Sequence, residues 1–250
     1  MSNFNIVIPA RLASARLPGK VLLDIAGKPL VQHVYERAVE AGAAEVIIAT
    51  DDDGVAAAAA AFGAEVLLTD VNHASGTDRV AEVARLRGWS ADTPVVNVQG
   101  DAPMIPPASI RQVAELLIAN QAAAIATLCV PIESAAEYAD PNVVKVVFDE
   151  GGRALYFSRA PIPSNLREPD TLPTAWRHLG LYAYRVSALE TLTATPPCEL
   201  EQVEHLEQLR AMHLGMEIRI APADVPNGPD VDTEADLEAV RRLLGAQDQG

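Results

Sequence analysis

Hydrophobic residues along this chain follow two alternating rhythms. Short aliphatic, often β-branched runs occur at Asn5–Pro9, Glu45–Thr50, Glu65–Leu68, Pro94–Val98 and Ile125–Val130, and predict buried strands. Between them, Leu30–Ala41, Asp53–Phe62, Thr77–Arg87 and Pro107–Asn120 predict helices. This βαβα order predicts an α/β fold whose mostly parallel sheet is covered by helices on both faces. The six alanines Ala56–Ala61 predict a tightly packed helix, because alanine is the best helix former.

Beyond about residue 130 the rhythm changes. Val143–Asp149 and Ala154–Ser158 flank Glu150-Gly151-Gly152, which reads as a hairpin turn. Arg159–Ala175, rich in proline and polar residues, predicts a long loop of the kind that is usually functional. His178–Tyr184 and Glu217–Ala221 predict strands. Apolar residues at 200, 203, 206, 209 and 212–214 predict one helix over Leu200–Leu214. Thr233–Leu244 predicts a closing helix capped by Asp232 or Thr233. No repeat and no composition break interrupts the chain. The expectation is a single domain over 1–250, with 131–184 as a subregion outside the βα alternation.

Composition narrows the function classes. With 250 residues and 49% hydrophobic content, the chain suits one globular domain, and with 4% aromatics its core is aliphatic. No run approaches the roughly 18 apolar residues of a membrane span, and Arg11 and Arg16 follow the first apolar run too soon for a signal peptide. Cys129 and Cys198 lie far apart, which argues against a disulfide scaffold or a structural zinc and suits a reducing cytoplasm. A formal charge of -15 disfavours nucleic acid as a partner.

Against that acidic background, the first twenty-three residues hold no carboxylate, yet Arg11, Arg16 and Lys20 fall within ten residues directly after the first strand. Small residues (Ala10, Ala13, Ser14, Ala15, Gly19) let the backbone approach an anion, and a polyphosphate needs that combination of close backbone and fixed positive charge. The P-loop and dinucleotide fingerprints are missing, as are G-x-S-x-G and H-E-x-x-H. What remains is a phosphate-holding loop at the carboxyl end of a strand, the usual ligand position of an open α/β sheet. Asp101, after a buried strand and the turn Gln99-Gly100, is placed to ligate a hard cation. Ser75 and Gly76 precede a helix and can offer a hydroxyl and backbone groups to a ligand, with Arg79 nearby. His178 and Tyr182, four apart on one strand, share a face. Glu207 and Gln208 project away from the apolar stripe of their helix.

The opening motif Ile8-Pro9-Ala10-Arg11-Leu12-Ala13-Ser14-Ala15-Arg16-Leu17-Pro18-Gly19-Lys20 resembles that of the CMP-sugar synthetases. The resemblance runs from Ile6 to about Leu244. It includes Val96-Asn97-Val98-Gln99-Gly100-Asp101, Ala154-Leu155-Tyr156-Phe157-Ser158-Arg159, Arg177-His178-Leu179-Gly180-Leu181-Tyr182, Leu206-Glu207-Gln208-Leu209-Arg210 and Val231-Asp232-Thr233. It implies a Rossmann-like nucleotidyltransferase fold and transfer of CMP from CTP to 3-deoxy-manno-octulosonate (Kdo), giving CMP-Kdo for lipopolysaccharide biosynthesis. An amino-substituted octulosonate and a sialic acid stand as alternative acceptors, and a non-catalytic nucleotide sensor as a further rival. The resemblance implies that Arg11, Arg16 and Lys20 hold the triphosphate, with Asp101 beside them in catalysis. It implies Mg²⁺ on Asp101 and Asp232, with Asp230 a competitor. Nucleotide contacts are implied at Ala10, Arg11, Ser75, Gly76, Arg79 and Gln99, and sugar contacts at Gln99, Arg159, His178, Tyr182, Glu207 and Gln208. It also implies a homodimer, with 131–184 as interface. Ala102 and Ser164 depart from the family pattern, in the region that shapes the sugar pocket.

Overall fold

The computed structural model describes residues 4–13, 17–168 and 171–247. Its centre is β1 (Asn5–Pro9), flanked in parallel by β4 (Val46–Thr50) and β6 (Pro94–Asn97), with β5 (Glu65–Leu68) beyond β4. A small hairpin, β2 (Asp24–Ile25) and β3 (Lys28–Pro29), leads into α1 (Leu30–Glu40). On the other side lie β7 (Ile125–Pro131), β10 (Trp176–Arg185) and β11 (Ile218–Pro222). The main sheet order is β11-β7-β10-β6-β1-β4-β5, and β10 alone runs against its neighbours. The mostly parallel sheet expected from the βα alternation is therefore present, with β10 inserted antiparallel in its middle.

Alternation along the central strands splits the core in two. Ile6, Ile8, Ile48, Val96 and Val98 face α1, α2 (Asp53–Ala61), α4 (Pro107–Ala119) and α9 (Glu234–Gln247). Val7, Ile47, Ala49 and Val95 face α3 (Gly76–Arg87), α6 (Val186–Ala194) and α8 (Gln208–His213). Helices thus cover both faces. The alanine run differs from its expectation: α2 buries only Val55 and Ala59, so high helix propensity serves a largely solvated helix.

The segment 131–184 is continuous with the main sheet. It contains the short α5 (Ala135–Ala139) and the hairpin β8 (Lys145–Phe148) and β9 (Ala154–Ser158), whose turn passes through Gly152 at φ 79°. The hairpin joins the main sheet by pairing β8 with β10. The single helix expected over Leu200–Leu214 is two. α7 (Glu199–Glu204) ends where His205 takes φ 52°, and α8 starts anew, so Leu206 and Leu209 are buried while Leu200 and Val203 are exposed. A lone His gives little warning of a left-handed break, since glycine is its usual residue.

Two local devices bring the carboxyl ends of β1 and β6 together. Val98 N–H donates to the Val7 carbonyl at 3.0 Å. A Cβ on Gly100 would stand 2.6 Å from the Pro9 carbonyl oxygen, so only glycine lets the chain turn here toward Asp101.

Candidate active site

Gly19 adopts φ 69°, its amide donating to the Leu12 carbonyl at 3.1 Å, and opens a single 3-10 turn over Lys20–Leu22. That turn sends the Lys20 side chain to the end of β6 and the segment before α9. Lys20 Nζ donates to Asp101 Oδ2 at 2.7 Å, to Asp232 Oδ1 at 3.0 Å and to the Val231 carbonyl at 2.9 Å. The Val231 amide donates to the Asp101 carbonyl at 2.8 Å, which fixes the two acid-bearing segments to one another. Thr233, rather than Asp232, caps α9: its hydroxyl accepts from the Asp236 amide, and the Asp236 carboxylate accepts from the Thr233 amide at 2.8 Å.

Three adjoining cavities surround this point. One of about 280 Å³ is lined by Arg11, Lys20, Gly76, Arg79, Asp101 and Asp232 among others. One of about 230 Å³ is lined by Ser75, Gly76, Thr77, Asn97, Tyr182, Tyr184, Glu207 and Gln208. The largest, about 480 Å³, includes Asn142, Arg177, His178, Gly180 and Asp230 in its wall. Gln99 lines all three, one residue past β6 plus its short extension. The first turn of α3, at Gly76, stands between the two smaller cavities, and its free amides favour an anion there.

The electrostatics are unusual at four places. Burial alone would lower the Lys20 pKa, but the hydrogen bonds and charges of Asp101 and Asp232 hold it above the ordinary value. Asp230, in the wall of the largest cavity, is pushed up to about 6 by desolvation and by the charges of the Asp101 and Asp232 carboxylates, against the pull of Lys20 and Arg177. Burial raises the phenols of Tyr182 and Tyr184, with Glu207 adding to the effect on both. His178, enclosed on β10, is lowered to about 3 and is neutral. The Thr127 hydroxyl lies 2.9 Å from the Leu181 carbonyl and 3.1 Å from that of Leu179. Its one proton serves a carbonyl, so its oxygen accepts from Nε2–H of His178 at 2.9 Å. This bond sits at the register shift between Leu179 and Tyr182. Despite that shift the rings of His178 and Tyr182 pack together with centroids 5.1 Å apart and planes tilted by 46°, as their shared face predicts.

The residues singled out by sequence divide as follows. Arg11, Lys20, Arg79, Asp101 and Asp232 meet in the 280 Å³ cavity, with Gly76 and Gln99. Ser75, Tyr182, Glu207 and Gln208 meet in the 230 Å³ cavity, where Gly76 and Gln99 are shared. His178 borders the largest. Ser75 is also a structural cap, in a reciprocal capping box with Asp78. Arg79 is 2% exposed and tied to Asp51 at 2.6 Å and Thr69 at 2.7 Å, so its charge is already balanced by the protein. Ala10 is buried, and its amide donates to the Ala49 carbonyl. Arg16 lies outside the described residues. Arg159 is not brought to the cavities. Its guanidinium donates to the Glu204 and Pro141 carbonyls and its amide to the Glu204 carboxylate, which ties the start of the long loop to α7. Three of its five guanidinium N–H groups are engaged on backbone carbonyls, and two are left over.

Sequence reasoning passed over Thr77, Asn97, Tyr184 and Arg177 as site residues, and Lys145 as a shaping one. Thr77 donates a short hydrogen bond to Glu207, and Asn97 Oδ1 is buried at the cavity wall with no hydrogen-bond partner. A polar residue inside the aliphatic run Val95–Val98 was the available signal for Asn97. Lys145 is fully buried and donates to the Asp140, Val143 and Arg159 carbonyls. It thereby draws Asn142–Val144, one wall of the largest cavity, against the start of the long loop.

Comparison with known proteins bears on this geometry. A family model described as Cytidylyltransferase matches residues 5–218. The chain belongs to the cytidylyltransferase family. Curated relatives named 3-deoxy-manno-octulosonate cytidylyltransferase include one from Thioalkalivibrio sulfidiphilus, 53% identical over 98% of this chain and 100% of its own. Another, from Cellvibrio japonicus, is 54% identical over 97% and 98%. A solved structure of CMP:2-keto-3-deoxy-manno-octonic acid synthetase complexed with CTP superposes with a TM-score of 0.91 at 47% identity, covering 98% of this chain and all of that one. A cytidylyltransferase from Leptospira borgpetersenii, at 18% identity and a TM-score of 0.66, shares the fold.

The acid limb of this cytidylyltransferase's stability follows from His178. The unfolded chain takes up a proton on it near pH 6.5, the folded chain only near 3. Between those values the unfolded state binds more protons, so stability is full above 6.5 and falls as the pH drops toward 3. Urea unfolding at pH 7.5 and 5.0 is expected to carry a loss of about 2 kcal/mol from this residue, while Asp230, raised to about 6, works in the opposite sense over the same window. His178→Gln removes that part; an equal pH dependence in variant and parent would contradict a neutral His178.

Proposed function

We propose that the chain transfers CMP from CTP to the anomeric hydroxyl of Kdo, releasing pyrophosphate and supplying CMP-Kdo for lipopolysaccharide biosynthesis. The observation that carries this reading is the convergence of Lys20, Asp101 and Asp232 beside Arg11 and the first turn of α3. Full-length similarity to relatives named for that activity supports it. So does likeness to a synthetase solved with CTP.

In this reading Arg11 and Lys20 neutralise the phosphate tail, and the amides at Gly76 receive phosphate oxygens. Gln99 stands where nucleotide and sugar acid meet, and Tyr182, Glu207 and Gln208 orient the acceptor's hydroxyls. The protein supplies position and fixed charge, with no covalent intermediate. Among the described residues no group of three or more His, Cys, Asp or Glu side chains is placed to hold a metal ion. Two carboxylates, Asp101 and Asp232, suit Mg²⁺, which takes one or two carboxylates and completes its shell with phosphate oxygens and water. When bound, Mg²⁺ would offset charge on the phosphates as the anionic sugar acid approaches. An amino-substituted octulosonate differs only at the sugar cavity and is the second reading. No helix among the described residues is long and apolar enough to cross a membrane, and we place the reaction in the cytoplasm.

We also propose that the active form is a homodimer joined through the β8–β9 hairpin and its surroundings. Leu155 on β9 is 49% exposed and Val203 on α7 74% exposed, and Ser158 and Glu204 join the two elements by a 2.7 Å hydrogen bond. Sedimentation at micromolar concentration is expected to give twice the 26.5 kDa chain mass, with Val203→Glu shifting it toward monomer. A monomeric parent refutes the dimer.

Pyrophosphate release tests the reaction itself. With CTP, Mg²⁺ and Kdo it is expected to proceed, to fall sharply with ATP, UTP or a sialic acid, and to stop with EDTA. Lys20→Ala is expected to lower turnover at least about 100-fold while the far-UV circular dichroism stays unchanged. Unaltered turnover, or full activity in EDTA, would contradict the roles given to Lys20 and the metal.

A further inference from the structure

All three protons of the Lys20 ammonium are engaged, on Asp101, Asp232 and the Val231 carbonyl. An ammonium has three donors and no more. In this arrangement Lys20 has none left for a phosphate oxygen, although it lines the cavity with Arg11. Gripping the carboxylates and gripping a phosphate therefore compete. The ammonium also stands between the two carboxylates that suit a divalent cation, and two cations at one point repel. The Lys20 side chain is 12% exposed and Asp101 and Asp232 are 27% and 39% exposed, so solvent screens that repulsion only in part.

We propose that Lys20 is a built-in counter-cation that occupies the divalent metal's place in the nucleotide-free chain. A polyphosphate draws the ammonium off the carboxylates, and only then does the metal gain both of them. The inference rests on the metal reading above and adds an order to it: phosphate capture by Lys20 and metal capture by Asp101 and Asp232 are one exchange. Lysine suits this better than arginine, since a compact charge on a flexible four-carbon stem can change partners without moving the backbone.

Mn²⁺ binding to the nucleotide-free protein, followed by electron paramagnetic resonance, tests the exchange without reference to activity. The parent chain is expected to bind Mn²⁺ weakly and Lys20→Met at least tenfold more tightly, with the gain abolished in Lys20→Met/Asp101→Asn. Lys20→Gln, which keeps a donor without charge, serves in place of the methionine variant should that fail to fold. Asp101-dependent binding of equal strength in parent and Lys20 variants would overturn the counter-cation role and leave the metal reading standing. Absence of Asp101-dependent binding in every variant would overturn both.

Discussion

Like charges gathered at one point must be compensated before a chain can fold around them. Asp101 and Asp232 reach the end of the sheet from distant parts of the sequence, and Asp230 stands close enough for their charges to raise its pKa. Lys20, 81 residues from one partner and 212 from the other, supplies the compensation. The same contact ties the loop after β1 to the turn after β6 and to the segment before α9. An ion pair this enclosed stabilises less than its distances suggest, because removing the charges from water is costly. In the proposed reaction its value lies in holding opposite charges ready for ligands that carry both signs: an anionic tail for the lysine and a cation for the carboxylates.

The sheet makes that arrangement possible. Glycine at position 100 lets β6 finish against the end of β1, so the cationic loop and the acidic turn face one another. The capping box of α3 presents its first turn between two cavities, and Gln99 borders all three. On the far side, the antiparallel β10 carries His178, Tyr182 and Tyr184, which with Phe157 of β9 form a row of rings whose successive centroids lie 5.0–5.6 Å apart. Burial keeps the imidazole neutral and the two phenols protonated, so this wall offers hydrogen bonds without added charge beside a site already crowded with charge.

Much of this was legible in the chain. Asn5–Pro9, Glu65–Leu68 and Ala154–Ser158 form strands with the bounds that their aliphatic and β-branched content predicts. The cationic, acid-free start stood out against a net charge of -15. What sequence could not show depends on long-range pairing. Nothing local reveals that Trp176–Arg185 enters the sheet between β6 and β7, nor that His205 breaks a helix whose apolar spacing runs on undisturbed. Arg159 was legible as a cation near a long loop, but its partners, the carbonyls of Glu204 and Pro141, are brought to it by the fold alone. Lys20 was legible as a candidate phosphate ligand; its hold on Asp101 and Asp232 was not, because the pairing depends on three remote segments meeting.

The central claim is that this ammonium changes partners, from carboxylates to phosphate, when the nucleotide arrives. A crystal structure of the chain with CTP and Mg²⁺ tests it most directly. The account predicts Lys20 Nζ within about 3 Å of a phosphate oxygen, with Asp101 and Asp232 turned to the metal instead. A nucleotide-bound structure in which Lys20 still bridges both carboxylates, with the phosphates held elsewhere, would contradict it.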